Sequence, residues 1–452
     1  MEPILDWSSY QEAGLGDAYA DIPKYGGDFA KAVAVCINSR QCEKEDKGLM
    51  CPSYRVTQNP QLSTGGRIRL IKSILNSEQV GERLQDDDLV DAMALCVGCK
   101  GCKRECENGV DMAMIKIETL AQRHRRQSPS LRNRLLGSLS LNLYRHRFLK
   151  TLLHWRNRSR LLAKLGESLF GISAKRMLPE PVNKSYVKRD STGVHEGTAE
   201  VQGEVVLLID TFTNNFSPEN AEAAVAVLEH AGYRVFCTLP TTVTPEPDRP
   251  LCCGRTHLAN GMIEDATHEA QRMLSVLLPH VDAGRQIVGL EPSCLLAIRD
   301  DYKFLGLGEA ALKVADKAIL FEEFIAREIS AKRFKPRFKP VDTHGEPLLV
   351  HGHCHQKAVG AMKSMRKVLK AIPELQFSLI DSSCCGMAGS FGVEREHADI
   401  AMQMAELSLL PALREKPQAR ILANGFSCRH QIQEGTARPS IHLARLLQEA
   451  IV

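Results

Sequence analysis

The sequence predicts a multidomain α+β protein, with a helical, cysteine-bearing segment followed by two tandem α/β units. Three observations carry that prediction. Four cysteines stand at steps of three, three and four in "LCVGCKGCKRECENGVD", Leu95 to Asp111. From Val205 onward, apolar runs of strand length alternate with helical patterns, and the series occurs twice. A polar, aperiodic stretch, "VKRDSTGVHEGTAEVQGE" from Val187 to Glu204, separates the two regimes and reads as a linker. The chain has 452 residues and an apolar share of 44%, enough for two to four domains with real cores.

Residues 1–30 read as a polar lead-in. The opening "MEPILDWSSYQ" lacks the basic, apolar layout of a signal peptide, and no run of about 18 apolar residues follows. A cytoplasmic protein is therefore expected, at most peripheral on the inner membrane face. In a reducing compartment, fifteen cysteines argue for metal ligation or redox chemistry over a disulfide scaffold. Net charge is uninformative, since 58 Lys and Arg face 54 Asp and Glu. No nucleic-acid module is present, so no nucleic-acid partner is expected.

Residues 31–125 hold seven cysteines among short helical patterns. Cys96, Cys99, Cys102 and Cys106 form C-x2-C-x2-C-x3-C, the bacterial ferredoxin run, and predict a [4Fe–4S] cluster. Zinc is the rival metal, but its motifs usually come as two separated pairs. In two-cluster ferredoxins the fourth cysteine of each run ligates the other cluster. A partner run exists in "CINSRQCEKEDKGLMCPSY", where Cys36, Ser39 and Cys42 keep the rhythm and Cys51 precedes Pro52. A swap would join Cys51 to Cys96, Cys99 and Cys102, and Cys106 to Cys36 and Cys42. Three thiolates could then hold a [3Fe–4S] cluster, a cubane with one open iron, or nothing. Without the swap, Cys106 completes the first cluster, and the earlier cysteines are structural. Glu107 stands where the usual run has proline.

Residues 126–202 form a basic helical segment and the linker. From Arg123 to Lys164 there are twelve basic residues and no acidic one. Leu135, Leu139 and Leu143 recur four apart, as on an amphipathic helix. Docking on a protein partner, lying on an anionic membrane, and an internally packed face are the three readings of this segment.

Residues 203–330 and 331–452 repeat one order. Strand "VVLLID", helix "PENAEAAVAVLEHAG" and strand "YRVFCTL" are followed by "LCCGR", a helix and "RQIVGLEPSC". A basic break, "KRFKPRFKPVDTHGEP", precedes "PLLVHGHC", "SMRKVLKAIPE", "LQFSLIDSSCCG", "EHADIAMQMAELSLL" and "ARILANGFSC". Such alternation implies parallel sheets with crossover helices, and an internal duplication. Aligning the halves matches Cys252-Cys253-Gly254 with Cys384-Cys385-Gly386, and Cys294 with Cys428, while Cys354 falls opposite Thr213. The second unit thus carries a full set, Cys354, Cys384, Cys385 and Cys428, at strand carboxyl ends, where open α/β sheets build sites. Cys252, Cys253 and Cys294 form an incomplete set. His351, His353 and His355 flank Cys354 and are each more plausibly hydrogen-bonded strand-end residues than ligands. Cys237 reads as a core residue.

Taken together, "GLMCPSYRVTQNPQLSTGGRIRLI", "LCVGCKGCKRECENGVDMA", "GLEPSCLL", "HGHCHQKA", "CCGMAGSFGVEREH" and "ANGFSCR" resemble the iron–sulfur half of FAD-linked D-2-hydroxyacid dehydrogenases of the D-2-hydroxyglutarate and D-lactate type. The resemblance runs from about Leu5 to the C-terminus. More distantly the chain is similar to the glycolate oxidase iron–sulfur subunit, the anaerobic glycerol-3-phosphate dehydrogenase small subunit and heterodisulfide reductase. The resemblance implies an α-helical ferredoxin domain, then two cysteine-rich CCG domains, the first degenerate. It also implies that a flavin domain oxidises the hydroxyacid and passes electrons to iron–sulfur centres and on to a quinone or other acceptor. No G-x-G-x-x-G follows a strand here, so FAD is expected on a partner subunit or domain, and this chain as a separate subunit or a detached portion. The additional C-x-x-C of heterodisulfide-reductase domains is absent, since Arg429 and His430 follow Cys428, and a mononuclear iron or zinc site rivals an unusual cluster. Competing classes are a thiol-disulfide enzyme and an iron–sulfur sensor or scaffold.

Overall fold

The computed structural model describes residues 1–15, 20–44, 48–146, 148–189, 193–195, 201–242, 244–334 and 337–452. Parts of the expected linker (190–192 and 196–200), of the basic break (335–336) and of the insertion before Cys51 (45–47) lie outside them, as does Arg147.

The N-terminal part is helical. Helices Gly27–Ala34, Thr64–Leu75, Asp87–Ala94 and Met112–His124 surround a core of Phe29, Val33, Ile68, Ile71, Leu89, Met93 and Ile115. The opening residues are not a loose lead-in: Leu5 and Trp7 are buried in this core. The cause is Glu118, a fully buried carboxylate in helix Met112–His124. It accepts hydrogen bonds from the Ile4 amide at 2.9 Å, the Leu5 amide at 2.9 Å and Trp7 Nε1 at 3.0 Å. A buried carboxylate needs such donors, and the opening strap supplies them.

Four shorter helices follow, Leu131–Gly137, Leu139–Arg145, Leu149–Arg158 and Arg160–Phe170. Ser130 and Ser159 cap two of them by accepting from the amides of Asn133 and Leu162.

Two sheets come next. Among the described residues the first has the order β1-β3-β2-β4-β5, with β1 Val194–His195, β2 Gly203–Leu208, β3 Tyr233–Cys237, β4 Gln286–Gly289 and β5 Ala318–Leu320. Strands β2 to β5 are parallel, as the alternation predicts. Within the stretch expected to be only linker, β1 adds antiparallel at the edge, pairing Val194 with Phe236. The second sheet has the order β7-β6-β8, all parallel, with β6 Leu348–His351, β7 Phe377–Leu379 and β8 Ile421–Ala423. One core runs through both sheets, from Val205, Leu207 and Val288 to Val350, Leu422 and Leu446. Cys237 lies in that core, beside the Tyr186 hydroxyl at 3.3 Å.

Candidate metal and redox sites

Two segments converge on the tight turn that holds Cys96, Cys99 and Cys102. The Glu105 carboxylate accepts from the amides of Leu49 (2.8 Å) and Met50 (2.8 Å), which delivers Cys51 to the turn. Lys116 Nζ donates to the Cys96 carbonyl at 2.6 Å and ties the turn to helix Met112–His124. Lys100 and Cys51 both adopt left-handed backbone, with φ of 58° and 51°. Such strain in non-glycine residues persists only where the surroundings over-determine it, as at functional sites. All four cysteines, 51, 96, 99 and 102, are buried. Burial pushes the Cys102 thiol well above its ordinary range, and the charges of Cys51, Asp111 and Cys96 add to the shift. Cys51 therefore shares the neighbourhood of Cys96 and Cys102.

Cys106 faces the other way. Asn108 Nδ2 donates to the Val35 carbonyl at 2.9 Å, and Gln41 Nε2 donates to Glu107 at 2.7 Å, so the Cys106 loop is fastened to the segment bearing Cys36 and Cys42. Burial raises the Cys36 thiol, as do the charges of Cys42 and Cys106. These three cysteines are half-buried, and Ser39 is exposed. The N-terminus of helix Thr64–Leu75 stands behind both groups. The Thr64 amide donates to Cys51 Sγ at 3.1 Å and the Gly65 amide to Cys42 Sγ at 3.2 Å. At Cys51 burial pushes the thiol up to about 11, and the bonds from Thr64 partly offset that rise.

At the second sheet, Cys354, Cys384, Cys385 and Cys428 are all buried and meet at the carboxyl edge. A hydrogen bond from Cys384 holds the Cys354 thiol well below its ordinary value against the effect of burial, with His353 and His355 assisting. Bonds from Cys384 and Cys428 do the same for Cys385. His351, Cys385 and Cys428 present ligand atoms within 4.8 Å of one another. His351 Nδ1 meets Ser382 Oγ at 2.9 Å, while its buried Nε2 has no partner. His355 Nδ1 is likewise buried without a partner, but of the three histidines only His351 stands within ligand distance of Cys385 and Cys428. His353 instead accepts from the His355 amide at 3.1 Å through Nδ1, and His355 Nε2 meets the Gly98 carbonyl at 3.0 Å. A further group, Glu394, Glu396 and His397, is already neutralised by Arg132 on Glu394 and Glu396, and by the His397–Glu394 bond at 2.7 Å.

The first sheet carries the matching but thinner set. Cys294 lies five residues after β4 and Cys428 five after β8. Residue Thr211, not Thr213, takes the place of Cys354: each stands three residues past its strand and first in its helix, behind the caps Asp210 and His353. The offset follows from where each strand ends, which the sequence does not mark. Thr211 lines a small pocket with Cys252, Cys253, Cys294, Phe212 and Arg255. Gly254 and Gly386 share one geometry, with φ of 74° and 86°. A Cβ at either would meet a helix carbonyl, that of Ala266 at 2.9 Å or that of Ala401 at 2.1 Å. The third residue of each Cys-Cys-Gly therefore has to be glycine.

The sites are joined. Leu49, Cys99, Cys354 and Cys384 form one buried cluster, and Ser383 Oγ donates to the Leu49 carbonyl at 2.7 Å. Burial raises the Cys99 thiol and the charge of Cys354 raises it further. On the other flank, buried Lys100 pairs with buried Asp301, which also binds Arg255 at 3.0 Å. Burial opposes ionisation of Asp301, but Lys100 and Arg255 hold its carboxyl below the ordinary range. All fifteen cysteines are free thiols, and soft, dry, clustered sulfur is the donor chemistry iron–sulfur requires.

Comparison with known proteins agrees with this chemistry. A 4Fe-4S dicluster domain matches residues 32–110 and a cysteine-rich domain matches residues 348–433. The D-2-hydroxyglutarate dehydrogenase of Escherichia coli is 25% identical over 86% of this chain, which spans 40% of that protein's length. One subunit of the anaerobic glycerol-3-phosphate dehydrogenase of E. coli is 24% identical, over 75% of this chain and 82% of that protein. The E. coli glycolate oxidase iron-sulfur subunit is 22% identical, over 89% of this chain and 91% of that protein. No solved structure matches significantly. The chain joins a 4Fe-4S dicluster domain to a cysteine-rich domain, and its similarity to iron–sulfur subunits and portions of dehydrogenases supports an electron-transfer role.

Proposed function

We propose that the chain carries electrons from an FAD-dependent D-2-hydroxyacid dehydrogenase, as partner subunit or as part of a longer enzyme, to a quinone or other acceptor. One observation carries the reading: Cys99 and Cys354 share one buried cluster, which sets the ferredoxin-type cysteines against the second-sheet cysteines. In this reading Cys51, Cys96, Cys99 and Cys102 hold a [4Fe–4S] cluster. Cys106 joins Cys36 and Cys42 in a second site with three thiolates. Cys354, Cys384, Cys385 and Cys428, with His351, hold a metal or redox centre. The first sheet is a degenerate copy whose Cys252, Cys253 and Cys294 lack the fourth thiol, because Thr211 replaces it.

Iron–sulfur clusters supply one-electron storage and transfer. The chain's own residues keep water out, hold the thiolates with amides from Thr64 and Gly65, and offset sulfur charge with Lys100 and Arg255. The hydroxyacid would surrender two electrons and two protons to FAD on the partner, and substrate choice would lie there.

The test mixes the anaerobically prepared chain with an FAD-containing D-2-hydroxyacid dehydrogenase. Adding D-2-hydroxyacid should bleach the visible iron–sulfur absorption of this chain within the turnover time. Bleaching by dithionite but never by substrate and flavoprotein together would rule the reading out. The lowered thiols of Cys354 and Cys385 favour a second reading, thiol–disulfide exchange at Cys354, Cys384 and Cys385. Disulfide reduction by the isolated chain would select it.

A further inference from the structure

The helical segment between the two cysteine regions exposes large apolar side chains in rows. On helix Leu149–Arg158 and the residue before it, Phe148, Leu152 and Trp155 are 64%, 47% and 60% exposed. On helix Arg160–Phe170, Leu161, Leu165 and Leu169 are 80%, 53% and 63% exposed. Spacings of four and three, and of four and four, put each set on one face of its helix, and the two consecutive helices are in contact. Leaving six such side chains in water is unfavourable, and contiguous exposed apolar surface marks a docking site.

Charge says what docks. Between Arg125 and Phe170 the one acidic residue is Glu167. Arg134, Arg145, Arg160 and Lys164 are exposed and have no carboxylate partner among the described residues. The helix pair is anchored from behind, where buried Arg156 donates to the carbonyls of Ser173 and Arg176 and His154 meets Glu180 at 2.9 Å. Exposed leucine rows with a tryptophan and flanking cations suit a surface that needs no shape complementarity. Protein hot spots favour aromatic and arginine anchors set in pockets, and leucine is under-represented there.

We infer that this helix pair seats the protein on an anionic phospholipid bilayer, with the leucine rows in the acyl boundary and the cations at the headgroups. No helix among the described residues is long and apolar enough to cross a membrane, so the contact is peripheral. The inference stands apart from the iron reading, because it uses no cysteine.

Sedimentation of the full chain, prepared anaerobically, with phosphatidylcholine vesicles with and without phosphatidylglycerol tests it. Binding should be at least about tenfold tighter on anionic vesicles and weaken as salt rises. The combined Leu161→Glu, Leu165→Glu and Leu169→Glu variant should lose binding while iron content and circular dichroism stay at wild-type values. Arg160→Gln with Lys164→Gln, which leaves the apolar rows intact, should lose the anionic preference alone. Absence of wild-type binding to anionic vesicles at low salt would overturn the proposal. So would a wild-type dimer that the leucine variant dissociates, if vesicles fail to compete with it.

Discussion

Glu322 shows how one buried carboxyl joins the two sheets. It stands in helix Phe321–Ser330 of the first α/β unit, accepts from Gln356 Nε2 at 2.5 Å, and from Asn424 Nδ2 at 3.2 Å, both in the second. Burial pushes its carboxyl from the ordinary 4.5 up to about 7. Between those two values the unfolded chain has released a proton that the folded chain keeps. Stability from this group is thus full below the lower value and falls as pH rises toward the upper one, by up to about 3 kcal/mol. Denaturation of wild type and Glu322→Gln across that window should show a steeper fall in the wild type, whereas parallel curves would mean that Glu322 does not titrate there. Nothing in the sequence marked Glu322, Glu118 or Asp301, because a buried carboxylate is recognised only by the donors that folding brings to it. The cysteines were legible, since their spacing is itself the chemistry.

Strands and their connecting helices were legible to within a few residues wherever an apolar run ended in a turn signal, as in "VVLLID" and "PLLVHGHC". β1 was not, because two residues that pair at an edge carry no periodicity. Nor was the offset of the Cys354 equivalent, which depends on where each strand ends. The Cys-Cys-Gly turns make an element-level prediction. Ala at position 386 would meet left-handed backbone, costing about 1–2 kcal/mol. It would also place Cβ 2.1 Å from the Ala401 carbonyl, which adds an overpacking cost of about 1–3 kcal/mol. Gly386→Ala should therefore lower the unfolding free energy by about 2–5 kcal/mol, read by chemical denaturation, and loosen metal at the second sheet. A change within about 0.5 kcal/mol would show that the turn relaxes freely.

At the scale of the whole molecule, the helical cysteine unit touches both α/β units, which share a core of their own. Lys100 reaches Asp301 on one side, and Cys99 and Leu49 reach Cys354 and Ser383 on the other. No periodicity could announce contacts between segments so far apart in sequence. In the proposed reading they set the electron route, since Cys99 of the ferredoxin-type run and Cys354 and Cys384 of the second sheet share one buried cluster. The proposed ligand exchange between the two cysteine runs is the part on which that route depends. It is tested most directly by iron and sulfide counts and electron paramagnetic resonance on anaerobic wild type, Cys51→Ser and Cys106→Ser. The account predicts that Cys51→Ser abolishes the signal of the cluster bound by Cys96, Cys99 and Cys102, while Cys106→Ser keeps it and loses only the iron associated with Cys36 and Cys42. A colourless wild type holding zinc without sulfide, or loss of the main signal in Cys106→Ser alone, would contradict it.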